Sequence, residues 1–265
     1  MLQPLDKLCM AGKYPFVDAA VYGSMVTQNG FTLTKNWSYQ FTPFFDGVDP
    51  MDIEQHDNWN LLSVIGMSQA TVSVQSTSRI DPTFGKSWNL RSVMNMIGEI
   101  HQPMHNIIRY SPEHPEGDDF GKLHSINVLG YKNVFDLFED AYGQYRDLQY
   151  PLSSTTTLDK YVDAITKQFP KSELSKEIAD DTKKNWSKDS YNIAVNFAYA
   201  EEDSDFLLNN IDDGKDIVNR QLALAGYRLA ALVKHMMTAQ ISIYKPFEEL
   251  EDSEIESRLR TAIKG

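Results

Sequence analysis

The chain has 265 residues, 42% of them hydrophobic and 11% aromatic, which is ample for one sizeable core. Lys and Arg number 25 against 37 Asp and Glu, so the formal charge of −12 disfavours non-specific binding to a polyanion. No apolar run approaches the roughly 18 residues that a membrane span needs, and the single cysteine, Cys9, excludes an internal disulfide.

Residues 1–12 read as a short lead that could form a helix fragment, and no signal-peptide pattern follows Met1. With the lone cysteine, this favours an intracellular or organellar location over secretion. Residues 18–27 read as helical, and 32–49 as an irregular stretch rich in aromatic and turn residues. Residues 58–77 are expected to be a helix, because Leu61, Leu62, Ile65, Met67, Ala70 and Val74 recur with helical spacing. Residues 81–86 form a break, after which a central helix runs to about Gln102. A loop over 110–122 holds two prolines and two glycines; residues 125–128 then suggest one strand of a small hairpin turning at Gly130. Helices are expected over 133–148 and 157–169, with one or two more in 172–198. The longest spans 216–238 and carries Leu222, Ala225, Leu229, Leu232 and Met236 on one face. Beyond it, Pro246 breaks the helix, and Glu248 to Asp252 open an acidic extension over 239–265. Within that extension Ile255, Leu259 and Ile263 could form the apolar side of a short helix. They cannot make a core by themselves, and so are candidates for docking to a partner.

The stretch from Asn95 to His105 carries the most chemical information. An apolar stripe (Val93, Ile97, Ile100, Met104) runs beside a polar one (Asn95, Glu99), and Pro103 ends or bends the helix before His105. Packing on one side and convergent polar groups on the other is how a helix presents a buried site. The words Gly98-Glu99-Ile100-His101-Gln102-Pro103-Met104-His105 and Glu116-Gly117-Asp118-Asp119-Phe120-Gly121-Lys122 resemble the signature of the S1/P1 nucleases. That family comprises zinc-dependent nucleases of fungi, plants and protists that prefer single strands and use three zinc ions. Further similarities follow in order: Phe16 to Ser24, Trp37-Ser38-Tyr39, Asn133 to Glu139, Trp186 to Ser190, and the closing helix with Ala225-Gly226-Tyr227. They extend from about residue 16 to residue 236.

The resemblance implies a ligand set, and this chain alters it. The family's first Asp falls on Ser24 and its first His on Ser38. Its central His falls on Asn95 and the bridging Asp on Glu99. The His after Gln-Pro is kept as His105, while the last His and Asp fall on Phe135 and Glu139. The family's amino-terminal Trp and His, also ligands, have no counterpart in Met1-Leu2-Gln3-Pro4, and the first family helix is expected to be missing. Zinc wants thiolate, imidazole or carboxylate at about 2.0–2.3 Å. Serine and asparagine are poor substitutes, and phenylalanine cannot ligate. An Asp-to-Glu change moves the oxygens by on the order of 1 Å, well beyond the roughly 0.2 Å that a site tolerates. Without the ions nothing activates water or neutralises the developing phosphoryl charge.

The remaining polar residues are expected to have ordinary roles. His105 reads as a hydrogen-bonded relic. The His101/His105 pair has chelating spacing, but Pro103 lies between the two. Glu99 needs a partner such as His105 or Arg109, because a buried carboxylate without a metal is otherwise costly. Asp118 and Asp119 read as a solvated turn, and Glu139 and Asp140 as the exposed edge of a helix. Two Asn-x-Ser sequons, at Asn36 and Asn185, run through Trp37 and Trp186, which the resemblance puts in packed structure.

The expected fold is mostly α. It is a single multi-helix domain of the phospholipase C/P1 nuclease type over residues 1–238, with at most a small β-hairpin, followed by the acidic extension. The favoured function is a catalytically inactive scaffold, without cofactor, that serves as a structural or binding subunit of a larger assembly with protein partners rather than nucleic acid. The alternative is a zinc-dependent phosphodiesterase or nuclease with a reduced site built from Glu99, His105 and Glu139. A third possibility is a metal-free small-molecule pocket walled by Tyr22, Tyr39 and Phe135.

Overall fold

The computed structural model describes residues 14–50, 59–73, 82–201 and 204–243. Two short helices come first, α1 (Pro15–Ala20) and α2 (Tyr22–Gln28), separated at Val21. The region expected to be irregular is partly ordered, with a 3-10 turn over Thr32–Ser38 and a short strand β1 (Pro43–Phe45). Helix α3 (Leu61–Ser73) buries Leu61, Val64, Ile65 and Val72. Helix α4 (Pro82–His101) lies against α1, α2 and α3 and so holds the middle of the fold.

Within the expected break over 81–86, residues 82–86 are already the start of α4, and residue 81 lies outside the described residues. Pro82 stands at the first helical position, where a missing N–H costs nothing and the fixed φ already suits a helix. At the other end the helix stops at His101, as the sequence requires, and Pro103 begins a 3-10 turn (Pro103–Asn106) capped by the Gln102 side chain. Strand β2 (Ile108–Tyr110) follows and pairs in parallel with β1, Pro43 opposite Ile108. This second two-stranded sheet is additional to the expected hairpin. The hairpin itself consists of β3 (Ser125–Val128) and β4 (Tyr131–Asn133), antiparallel across Leu129-Gly130.

The helix expected over 133–148 is much shorter. Helix α5 (Val134–Glu139) is capped by Asn133, whose side chain accepts from the Asp136 N–H at 2.8 Å. The chain then turns through Ala141 (φ 47°), Tyr142 (φ 57°) and Gly143 (φ 74°). The turn buries Tyr142 edge-on against Phe138, so a packed aromatic interrupts a run whose periodicity would have continued. Helix α6 (Thr156–Gln168) is followed by α7 (Ser175–Ala179) and α8 (Lys183–Ile193). The last of these runs into a π turn over Ala194–Ala198.

After α9 (Asp205–Asn209), the longest helix, α10 (Ile211–Ile243), packs against α3, α4, α6 and α7 and continues past residue 238. Leu232 and Met236 are buried on it as expected, but Leu222 is 45% exposed beside a groove between α6 and α10. It shares the helical stripe of Leu229 and Met236, but at its level of α10 that stripe borders the groove. One core gathers α3, α4, Trp186 and α10; a second gathers β2, the hairpin, α5 and the π turn around Phe138 and Tyr199. Residues 1–12, Pro246 and the candidate docking residues Ile255, Leu259 and Ile263 lie outside the described residues.

Candidate functional site

Where α4 ends and α5 begins, the two cores meet at His105, which is 3% exposed. Its Nδ1 donates to the Ser38 carbonyl at 2.8 Å and lies 3.1 Å from Glu99 Oε2. Its Nε2 lies 3.1 Å from Glu139 Oε2. A carbonyl and ionised carboxylates only accept, so an imidazole facing them on both sides is favoured with both nitrogens protonated. Burial works against that charge, but Glu99 and Glu139 outweigh it and hold the His105 pKa above its ordinary value.

The two carboxylates differ. Glu99 is buried beside Glu139, which pushes its pKa up even though His105 pulls it down. Glu139 is half-exposed. Burial raises its pKa, but hydrogen bonding and charge from His105, with Gln102 and Lys122, bring it below the ordinary range. The Gln102 amide donates to Glu139 at 3.0 Å while its oxygen caps the next turn through the Met104 N–H. Glu139 thus does lie at a helix edge, as expected, and is bound into the cluster from there.

Aromatic rings close the site. Tyr39 and Phe135 stack on His105 at centroid distances of 4.7 and 5.3 Å, and Phe120 stacks on Tyr39 at 4.1 Å. Burial, then Glu139 and Glu99, push the Tyr39 phenol far up, so it stays protonated. The Lys122 ammonium sits 4.8 Å from the Phe135 centroid and 5.1 Å from that of Tyr39, and it meets Asp119 at 3.4 Å.

Asn95 borders the cluster on α4. Its amide donates to Glu99 Oε1 at 3.2 Å and to the Ala20 carbonyl at 2.9 Å. Its Oδ1 is buried, and among the described residues it has no hydrogen-bond partner. Gly23 crowds that oxygen: a Cβ there would come within 2.0 Å of it. Ser24, the next residue, is exposed. The structure therefore brings Asn95, Glu99, His105, Phe135 and Glu139 together, and Ser38 joins them through its backbone carbonyl.

The other sequence candidates separate. His101 is not paired with His105. Its Nδ1 bonds the Ile97 carbonyl at 2.7 Å and its Nε2 meets Arg228 at 2.8 Å, and burial pushes its pKa down to about 3. Arg109 pairs with Asp46, not Glu99. Asp118, expected in a solvated turn, is fully buried: it accepts from the Arg109 N–H at 3.1 Å and from the Tyr199 hydroxyl. Lone acidic residues in glycine-containing loops are ordinarily solvated, so nothing local marked this one. Arg109 also meets His124 Nδ1 at 3.0 Å beside a cavity of about 620 Å³. Tyr22 packs edge-on against Trp88 and lines a cavity of only about 10 Å³, which neither Tyr39 nor Phe135 lines. The contributions of Gln102, Phe120 and Lys122 had no residue-level signal beyond lying in the two motif words.

Among the described residues, no group of three or more His, Cys, Asp or Glu side chains is arranged to hold a metal ion. No helix among them is long and apolar enough to cross a membrane. The family model for S1/P1 Nuclease matches residues 3–238. No curated protein matches the chain.

Proposed function

The chain belongs to the S1/P1 nuclease family, and from that premise we propose that it is a catalytically inactive member, its fold kept as a structural or binding subunit of a larger assembly. One observation carries this reading: both nitrogens of His105, the one unchanged ligand position, are engaged by the protein's own oxygens, and Tyr39 and Phe135 pack against its ring. A zinc ligand must offer a free nitrogen lone pair about 2.0–2.1 Å from the ion.

The donor set does not fit the family's metal. Phe135 puts carbon where the resemblance expects imidazole, and Ser24 is exposed while Gly23 takes the place against Asn95. The orphaned Asn95 oxygen does not make up for this, because it is pressed onto Gly23 with no room for an ion between them. The Asn95 amide hydrogens, not its oxygen, face Glu99. A fold outlives its chemistry because function resides in the site. With an excess of 37 acidic over 25 basic residues, the surface favours protein partners over a polyanion.

A second reading, a phosphodiesterase with a reduced site, is favoured by one feature, the convergence of Glu99, His105 and Glu139. The two are separated by assaying single-stranded DNA cleavage with added zinc. The inactive scaffold shows no cleavage above a His105→Ala control; the reduced enzyme shows cleavage that the control loses.

A further inference from the structure

We propose that Lys122 is the resident cation of this site, and that its ammonium keeps divalent ions away from Glu139 by charge. The inference rests on the reading above and adds the reason the carboxylates remain without a metal. Three ring faces converge on the ammonium: Phe135 at 4.8 Å, Tyr39 at 5.1 Å and Phe120 at 5.8 Å from Nζ to centroid. Ring faces are negative and attract such a cation. Two of those rings, Tyr39 and Phe135, also pack against His105, so the ammonium lies beside the same cluster. It also lies close enough to Glu139 to help draw its carboxyl down.

Backbone geometry fixes the placement. Gly117, Asp119, Phe120 and Gly121 all have positive φ, and this turn puts Phe120 under Tyr39 with Lys122 just beyond. A Cβ on Gly121 would come within 2.5 Å of Val134 and 2.6 Å of Met104, so the turn is seated directly on the core. Lys122 is thus held from the main chain as well as by the rings and by its ion pair with Asp119 at 3.4 Å. Five ionisable groups then meet, three acids (Glu99, Glu139 and Asp119) and two cations (His105 and Lys122). Were a divalent ion at Glu139 to stand on the order of 5 Å from the ammonium, the repulsion would be equivalent to about tenfold in affinity in a water-like dielectric.

Equilibrium dialysis of the full chain against zinc, with bound metal counted by elemental mass spectrometry, tests this. At fixed free zinc, Lys122→Met is expected to bind about tenfold more zinc than wild type. Lys122→Arg, which keeps the charge and controls for folding, should match wild type. The double variant Lys122→Met/Glu139→Gln should lose the gain. Equal zinc binding by Lys122→Met and wild type, or a gain that survives Glu139→Gln, overturns the proposal and leaves the inactive-scaffold reading standing. Stoichiometric zinc on the wild-type chain overturns both.

Discussion

The Ser38 carbonyl lies 2.8 Å from Nδ1 of His105 and accepts its proton. The position that resembles a family histidine therefore still reaches the site, but as an oxygen acceptor. A backbone carbonyl is present whatever the side chain, so this contact orients the imidazole, and it is Glu139 at Nε2 that leaves the ring without a free lone pair. Around it, Tyr39 and Phe135 pack against the ring.

Removing His105 should be costly. Its loss leaves Glu99, whose side chain is 14% exposed, without its opposite charge. Breaking a buried pair from one side typically costs about 3–5 kcal/mol. Urea unfolding of His105→Leu is expected to show a loss of that order. Glu139→Gln should cost no more than about 1 kcal/mol, because the Glu139 side chain is 49% exposed and its attraction is screened. Equal losses from the two variants would contradict the arrangement.

The two buried histidines should titrate in opposite directions. The His105 pKa is raised by Glu99 and Glu139 against the burial that lowers it, whereas burial takes His101 down to about 3. A raised folded-state pKa means that the stability gained from His105 is fully present below about 6.5, the unfolded value, and is lost as pH rises through the folded value. The stability difference between wild type and His105→Leu is therefore expected to shrink from pH 6 towards alkaline pH. Long-range proton–nitrogen NMR should find His101 neutral at pH 5 while His105 remains charged. A His101 that titrates near 6.5 would be inconsistent with its contact to Arg228.

Gly23 is expected to tolerate no side chain. Alanine has the better helix propensity by about 1 kcal/mol, but the added carbon would lie 2.0 Å from the Asn95 oxygen. Overpacking of this kind costs roughly 1–3 kcal/mol, so the net change in thermal unfolding should be destabilising or, at the least, not stabilising. A Gly23→Ala protein that melts higher would mean that α2 does not press on Asn95.

Tyr199→Phe removes the hydroxyl that donates to fully buried Asp118. A buried acceptor stripped of one donor typically costs about 1–3 kcal/mol, which chemical denaturation would register. An unchanged midpoint would restore the solvated-turn reading of residues 118 and 119.

Much of this was legible in the residues themselves. Helical spacing of Leu61, Leu62 and Ile65 pointed to α3, Pro103 fixed the end of α4, and Gly130 marked the hairpin. What escaped was long-range. Tyr142 interrupts a periodic run because it packs against Phe138 in a left-handed turn, and no local pattern encodes that. Asp118 is buried because Arg109 and Tyr199, distant in sequence, converge on it. At the candidate site the motif words identified the residues that meet, but spacing could not show Ser38 acting through its carbonyl, Gly23 replacing Ser24 against Asn95, or Lys122 lying over the rings. Those depend on which backbone faces which, and only the packed chain defines it.

The most direct test of the central claim is the zinc content of the wild-type chain purified without chelator, by elemental mass spectrometry, beside a single-stranded DNA cleavage assay. With His105 held by Ser38, Glu99 and Glu139, the account predicts less than about 0.1 zinc per chain and no cleavage on adding zinc, since a real site requires deprotonated ligands within about 0.2 Å of their places. One or more tightly held zinc ions per chain, with cleavage lost in His105→Ala, would contradict it.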